Sequence, residues 1–469
     1  MARRTKIVAT IGPASREPEV LVRLIEAGLD VARFNFSHGS RDLHAENAER
    51  VRAASEAVGR PVAILQDLPG PKLRIGTLRG GFAELKPGEK LRLMCGSTDE
   101  GDETRIPVSW AGLSDAVDPE DVIYLADGAI RLRVVAIRRG EGEIDTAVEV
   151  GGSVATRQGL NIPGSTRGLA AVPAEDLDML RFGESIGVDA VALSFVREPA
   201  DVLDVRQHTR LPLIAKIEKP QAVENHVEII RAADVVMVAR GDLGIELPIE
   251  DVPIVQKRLL RTAGNLARPS ITATQMLDSM VNSPRPTRAE ATDVANAILD
   301  GTDAVMLSQE TAVGNFPVEA VAMMASIAER TERILPYDRW NEERVRRDAR
   351  DPAYTIAYSA CAAARDLGLA ALVIPTLSGR SVRLISAHRP NVPIYCLSPD
   401  PGTVRRCNLM WGVESAHIPH YGVTEELIAA SAARAVQLGW VRPGERIGIT
   451  AGLPSGSPGT TSLFQVQTA

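Results

Sequence analysis

Cysteine is scarce in this chain: Cys95, Cys361, Cys396 and Cys407 are the only four in 469 residues. They show no C-x-x-C spacing and are too sparse for a disulfide framework, so buried or surface thiols of a reducing compartment are expected rather than a zinc site. Long apolar runs are missing too. No 18-residue apolar stretch occurs, and the opening MARRTKIVAT passes straight into a strand pattern with no apolar h-region. A membrane-spanning helix is therefore not expected, and the chain reads as cytoplasmic. Nor is there an excess of positive charge. The 53 basic residues are outnumbered by 60 acidic ones, and the two signs mix in clusters such as RWNEERVRRDARD (339–351) instead of forming a basic stripe. Neither nucleic acid nor an anionic membrane is an expected partner.

What the chain does have is length and a 45 % apolar content, enough to fill the cores of roughly three domains. Short β-rich runs recur, each ending in polar or glycine-containing residues and followed by a helical pattern: KIVATIG (6–12), LDVARFNF (29–36), PVAILQDL (61–68), VDAVALSF (188–195), LPLIAKIE (211–218), ADVVMVAR (233–240), PSITATQ (269–275) and DAVMLS (303–308). This alternation predicts an α/β protein built on a (β/α)₈ TIM barrel. The gap between the third and fourth runs is far longer than a βα unit. It is filled by β-prone segments (KLRLMC, IRLRVVAI, EIDTAVEV) between Gly, Pro and Asp turns, which predicts a small all-β lid inserted in the third barrel loop. The expected layout is a discontinuous barrel at 1–70 and 160–336, a lid at 71–159, and an open α/β domain at 353–469. That last domain is expected to begin with the helix-like AYTIAYSACAAARDL (353–367) and to contain the strands ALVIP, VPIYCLS and ERIGITAG.

Barrel enzymes carry their chemistry at the C-terminal ends of the strands, and the polar residues here collect there. The second run delivers Arg33, Asn35, Ser37 and His38. The third run delivers Asp67, with Lys72 and Arg74 beyond the turn LPGPK. The later runs add Lys216 and Glu218, Arg240 and Asp242, Thr274 and Gln275, and Ser308 and Glu310. Along AKIEKP (215–220), alternation puts Lys216 and Glu218 on one side, inside the barrel mouth. They form either a buried structural ion pair or part of a site in which Glu218 and Asp242 bind Mg²⁺, a cation that suits two carboxylates with positions left open. Gly241, in VARGDLGIELP (238–248), would let a ligand approach the backbone, with free N–H groups for a carboxylate or phosphate. Arg33 and Arg74 are candidate phosphate forks. Two arginines, a lysine and a two-carboxylate metal site describe a pocket for a small polyanion undergoing phosphoryl transfer or enolate chemistry.

Several long segments resemble the pyruvate kinase family: TKIVATIGPAS (5–15), RFNFSHG (33–39), IAKIEKPQAVEN (214–225), MVARGDLGIELP (237–248), TATQMLDSM (272–280) and PRPTRAEATDVANAILDGTDAVMLSQETAVGNFPVEAV (284–321). The resemblance implies phosphoryl transfer from phosphoenolpyruvate to ADP. It implies that Glu218 and Asp242 hold Mg²⁺, with Mn²⁺ able to substitute. Lys216 would stabilise the transferring phosphoryl and the enolate, Arg33 and Arg74 would grip phosphate, and Gly241, Asp242 and Thr274 would seat the substrate carboxylate. Protonation at carbon 3 would run through a water or relay near Thr274, with Ser308 a further candidate, and Asn35, Ser37, His38 and Arg74 would face the nucleotide phosphates. A barrel lyase or aldolase acting on a 2-oxo acid, and a non-catalytic paralogue that senses metabolites, are the alternatives from other classes.

The resemblance also marks departures. In the family, Asn35, Ser37, Asp67 and the carbonyl at position 68 would surround K⁺, with an acid at 72. Here DLPGPKLR has Leu68 at that carbonyl position and Lys72 in place of the acid, so an ammonium is expected to replace the ion and K⁺ not to be required. In the inserted segment, Gln158 stands where many members have a nucleotide-contacting lysine, beside Arg157. In the third domain, PTLSGRSVRLIS (375–386) offers Thr376, Ser378, Gly379, Arg380 and Ser381 before a helix, a setting suited to a phosphorylated effector. The glycine-rich GLPSGSPGTT (452–461) follows late in the chain, and His417 and His420 are read as structural. A homotetramer is the family expectation.

Overall fold

A computed structural model describes residues 3–71, 73–126, 128–163, 172–337, 340, 351–452 and 461–469. Each of the eight apolar runs forms a strand: β1 (Lys6–Thr10), β2 (Val31–Asn35) and β3 (Ala63–Asp67), then β4 to β11 in the inserted segment, then β12 (Ala190–Leu193), β13 (Leu213–Ile217), β14 (Val235–Ala239), β15 (Ser270–Ala273) and β16 (Ala304–Leu307). The eight close into a parallel barrel in the order β1-β16-β15-β14-β13-β12-β3-β2. Local signals set the helix ends. Ser40 accepts the Leu43 N–H at the start of Arg41–Val58, and a capping box of Thr287 and Glu290 opens Arg288–Leu299.

Alternation sorts the strand side chains into two buried sets. Ile7, Phe34, Ile64 and Ile217 belong to the core between strands and helices, whereas Val8, Val31, Leu65, Ala192, Ile214 and Met306 belong to a separate cluster inside the barrel. Two residues beyond those inner positions lie Thr10, Arg33, Asp67, Ser194, Lys216 and Ser308, the innermost side chains at the C-terminal mouth.

The opposite end repeats one device four times. Asp30, Asp189, Asp234 and Asp303 precede β2, β12, β14 and β16. Their carboxylates accept the N–H groups of Ile7, Ile64, Leu213 and Ser270 on the neighbouring strands at 2.8, 2.9, 3.0 and 2.9 Å, and their own N–H groups donate to the carbonyls of those same residues. The third domain closes this end: Leu409 joins the inner cluster, Lys6 Nζ donates to the Val413 carbonyl at 2.6 Å, and Arg389 is ion-paired to Asp303 at 3.1 Å.

Between β3 and β12 the chain builds β4 (Phe82–Leu85), β5 (Lys90–Cys95), β6 (Arg105–Val108), β7 (Val122–Leu125), β8 (Ile130–Arg138), β9 (Glu143–Val150), β10 (Gly152–Ala155) and β11 (Leu160–Asn161). They form a six-stranded sheet, β11-β7-β8-β9-β5-β6, and a β10-β4 pair around a core of their own. A narrow neck joins this unit to the barrel. Ile75 N–H donates to the Gln158 carbonyl and Leu160 N–H to the Leu73 carbonyl, at 3.0 and 2.9 Å. Before the neck, Gly70 sits at φ +68° with its N–H on Asp176 at 2.8 Å, and a Cβ there would lie 2.9 Å from the Phe195 ring. The turn therefore needs glycine.

The third domain is a sheet in the order β19-β18-β17-β20-β21, made of β17 (Ala371–Pro375), β18 (Ile394–Ser398), β19 (Val413–His417), β20 (Arg446–Ala451) and β21 (Leu463–Thr468), with β21 antiparallel. It is preceded by the helix Pro352–Asp366. Among the described residues no helix is long and apolar enough to cross a membrane.

Candidate active site

Five adjacent strands carry a continuous polar chain across the mouth. Arg33 donates through Nη1 to Thr10 Oγ1 at 2.8 Å and through Nε to Asp67 Oδ2 at 2.7 Å. Lys216 Nζ reaches the other Asp67 oxygen at 3.3 Å and Ser194 Oγ at 2.7 Å, and Ser194 Oγ donates to the Leu68 carbonyl at 2.8 Å. The alternation that aimed Lys216 and Glu218 at each other is realised, with Nζ and Oε1 2.9 Å apart and the Glu218 side chain fully buried.

Burial alone would discharge these groups, and the charges around them decide which yields. Despite desolvation, Asp67, Glu218 and Asp242 hold the Lys216 ammonium above its ordinary range. Despite desolvation, Lys216 and Arg33 hold Asp67 below its own. Glu218 goes the other way: burial, opposed by Lys216 and reinforced by Asp242, pushes it up to about 7. Its Oε2 accepts the Phe195 N–H at 2.7 Å, while Oε1 is buried against the Lys216 ammonium. A buried carboxylate pushed up by a neighbouring carboxylate fits a divalent, oxygen-seeking cation such as Mg²⁺, which would relieve that repulsion. Among the described residues no three His, Cys, Asp or Glu side chains gather for a metal.

Asp242 rides on the helix Arg240–Glu246, which starts where β14 ends. The Gly241 N–H was expected to be free. It donates instead to Thr274 Oγ1 at 2.7 Å, so a carboxylate seated there would share or displace that bond. A Cβ at Gly241 would meet Thr274 only at ordinary van der Waals distance, so packing within the protein does not dictate the glycine. Thr274 and Gln275 hold φ of +69° and +52°, a costly region for a β-branched residue. Arg240 secures that turn, donating to the Thr274 carbonyl at 2.7 Å and to Asp293 Oδ1 at 2.8 Å. Ser308 Oγ is buried and has no hydrogen-bond partner among the described residues, its backbone N–H being held by Glu310 at 2.7 Å.

Between the mouth and the inserted unit lies a cleft of about 340 Å³, lined among others by His38, Arg74, Gln158, Arg197, Lys219 and Asp242. Asn35 Oδ1 accepts the Ser37 N–H at 3.1 Å and the Asn35 carbonyl accepts the His38 N–H at 3.2 Å, a turn that presents His38 to the cleft. Arg74 Nη1 donates to the Arg157 carbonyl at 2.9 Å. Arg33 does not line this cleft; two of its nitrogens are committed to Thr10 and Asp67. Lys72 lies outside the described residues, as do most of the 339–351 cluster and of 452–461.

The effector candidates sit apart, in the loop after β17. Thr376 Oγ1 accepts the Gly379 N–H at 3.0 Å, Arg380 pairs with Asp351 at 2.5 Å, and Ser381 shares a hydrogen bond with Thr461. Ser378 opens onto a cleft of about 510 Å³ with Arg206, Arg210 and Arg406. Sequence reasoning missed Ser194 and Lys219. Ser194 was reachable, because it lies two residues beyond inward-facing Ala192. Lys219 was not, since its partner Glu246 comes 27 residues later with no local pattern linking the two.

A (β/α)₈ barrel whose mouth holds a buried ammonium among carboxylates and which carries an all-β insertion after its third strand is of the class that handles small polyanions by phosphoryl-transfer or enolate chemistry. Residues 2–321 match the family model described as pyruvate kinase, barrel domain, and residues 354–467 the one described as pyruvate kinase, alpha/beta domain. A pyruvate kinase of Geobacillus stearothermophilus is 44 % identical over 99 % of this chain and 80 % of its own length. One of Agrobacterium vitis is 42 % identical over all of this chain and 98 % of its own. The crystal structure of a pyruvate kinase from Cryptosporidium parvum aligns with a TM-score of 0.94 at 33 % identity, over 99 % of this chain and 96 % of that one. The chain belongs to the pyruvate kinase family.

Proposed function

We propose that this protein transfers the phosphoryl group of phosphoenolpyruvate to ADP, yielding pyruvate and ATP. The observation that carries the reading is the Lys216 ammonium, ion-paired to Asp67 at 3.3 Å and Glu218 at 2.9 Å at the centre of the polar chain, where those charges and Asp242 favour its protonated form. So held, Lys216 is a poor proton donor or acceptor and a good fixed cation for the transferring phosphoryl and for the enolate oxygen left behind. Glu218 and Asp242 would hold Mg²⁺ or Mn²⁺, which supplies charge neutralisation on substrate and phosphoryl oxygens. Thr274 and the Gly241 amide would orient the substrate carboxylate. The uncommitted Ser308 hydroxyl would take part in the proton relay to carbon 3, together with a water near Thr274. Arg33 and Arg74 would bind phosphate, and Asn35, Ser37, His38 and Arg74 would face the nucleotide across the cleft, with 71–159 acting as the lid.

K⁺ would not be required. Besides Lys72, the would-be ligands already have protein partners: both Asp67 oxygens face Arg33 and Lys216, and the Leu68 carbonyl accepts from Ser194. Thr376, Ser378, Gly379, Arg380 and Ser381 would receive a phosphorylated effector, and the working form would be a cytoplasmic homotetramer.

Pyruvate release from phosphoenolpyruvate is expected only when ADP is present, and Lys216→Met should abolish it. ADP-independent turnover of a 2-oxo acid would refute the assignment. Activity measured with and without K⁺ at constant ionic strength should differ little.

A further inference from the structure

The cleft contains a second buried ion pair that the reaction chemistry leaves unused. Lys219 and Glu246 have side chains 6 % and 0 % exposed and are directly paired. Lys219 follows Glu218 in the chain, and Glu246 lies one helical turn beyond Asp242 on the same helix, so each partner is tied covalently to one of the metal-binding carboxylates. The pair also reaches the other way. Lys219 Nζ donates to the Ile162 carbonyl at 3.4 Å, and the Asn161 side chain hydrogen-bonds to Glu246. Both contacts fall where the chain leaves the neck that joins the lid to the barrel. The Lys219 ammonium also lies 5.6 Å from the centre of the Phe195 ring, whose backbone N–H binds Glu218.

Resting on the phosphoryl-transfer reading above, we propose that Lys219 and Glu246 are positioning residues: a clamp that fixes the base of the lid neck against the strand end carrying Glu218 and the helix carrying Asp242. Lid and metal site then share one reference frame, and the nucleotide side of the cleft is held at a set distance from the phosphoryl donor. A buried charge without its partner destabilises its surroundings strongly, so losing either member would release the neck first.

Hydrogen exchange of the intact protein without substrates, together with steady-state kinetics, tests this in Lys219→Met, Glu246→Gln and the conservative Lys219→Arg. In the first two, exchange at the neck amides Ile75 and Leu160 should quicken by about tenfold while that of the barrel strands is unchanged. The KM for ADP should rise about fivefold or more, with the KM for phosphoenolpyruvate within about twofold. Lys219→Arg should stay close to the parent on both readouts. Unchanged neck exchange, exchange that quickens uniformly along the chain, or equal shifts in both KM values would overturn the clamp. A parent enzyme with no ADP-dependent turnover would overturn the functional reading, while the exchange data would still decide the clamp.

Discussion

Both ends of the barrel bury charge, and they treat it in opposite ways. At the closed end Asp30 meets Arg3 at 2.8 Å and accepts the Ile7 N–H. Desolvation pushes its carboxyl up, but Arg3, Lys6 and Arg60 outweigh it and the value falls below the ordinary range. At the open mouth Glu218 is equally buried yet pushed up: burial and the Asp242 charge outweigh Lys216 and the Phe195 N–H. The difference is the charge supplied by the fold: three cations around Asp30, against one cation and a second carboxylate around Glu218. A carboxylate outnumbered by cations stabilises the structure, whereas one facing a second carboxylate is ready for a cation the protein does not itself provide. This matches the general division of barrels into a stabilising N-terminal face and a chemical C-terminal face.

Exchanging the fates of the two ends is the sharpest test. Lys216→Met should lower kcat by about a thousandfold or more with the fold retained by circular dichroism. Arg389→Met, which strips Asp303 of its buried partner at the closed end, should cost about 3–5 kcal/mol in denaturant unfolding and leave kcat of the folded fraction within about twofold. Large catalytic loss at the closed end would erase the distinction.

Asp30→Asn should cost about 2 kcal/mol at pH 7, and the pH dependence has a definite sign. A carboxyl whose folded pKa is depressed adds stability above its unfolded pKa and loses it as pH falls through the lower folded value. The gap between variant and parent should therefore narrow below about pH 4. Ser194→Ala removes one Lys216 contact but leaves Asp67 and Glu218 in place, and about a tenfold drop in kcat is expected. The smallest effect concerns Glu218. Because its carboxyl is pushed up to about 7, protons compete with metal, and Mn²⁺ followed by electron paramagnetic resonance should bind severalfold more weakly at pH 6 than at pH 8, by about that order. A pH-independent affinity would show the mouth carboxylate to be as saturated as those at the closed end.

The barrel was legible because aliphatic runs stopped by polar loops leave little choice of structure. The Lys216–Glu218 contact was legible because period two has no other reading inside a strand. Long-range partners were less accessible. Gly241 read as a free amide, since nothing in RGDLG announces that Thr274, from the next strand, turns its hydroxyl onto that N–H. The strand β19 was not read, because VESAH interrupts its apolar character with Glu414 and Ser415, and β21 alternates glutamines on an exposed edge. In both, pairing with neighbours supplies what local composition does not.

The four aspartate staples carry one further implication. They link β1 to β2, β3 to β12, β13 to β14 and β15 to β16, so the barrel is fastened as four two-strand quarters. The all-β insertion lies within the second quarter, not between two quarters. That pair alone must close a loop of more than a hundred residues, with the larger entropic cost such a closure carries. Its staple is also braced from both sides, since Asp189 takes Arg52 at 2.6 Å and Arg405 of the third domain at 2.7 Å. The third domain therefore helps to fasten the strand pair from which the all-β insertion emerges, a mechanical link between the closed end and a unit attached at the open one.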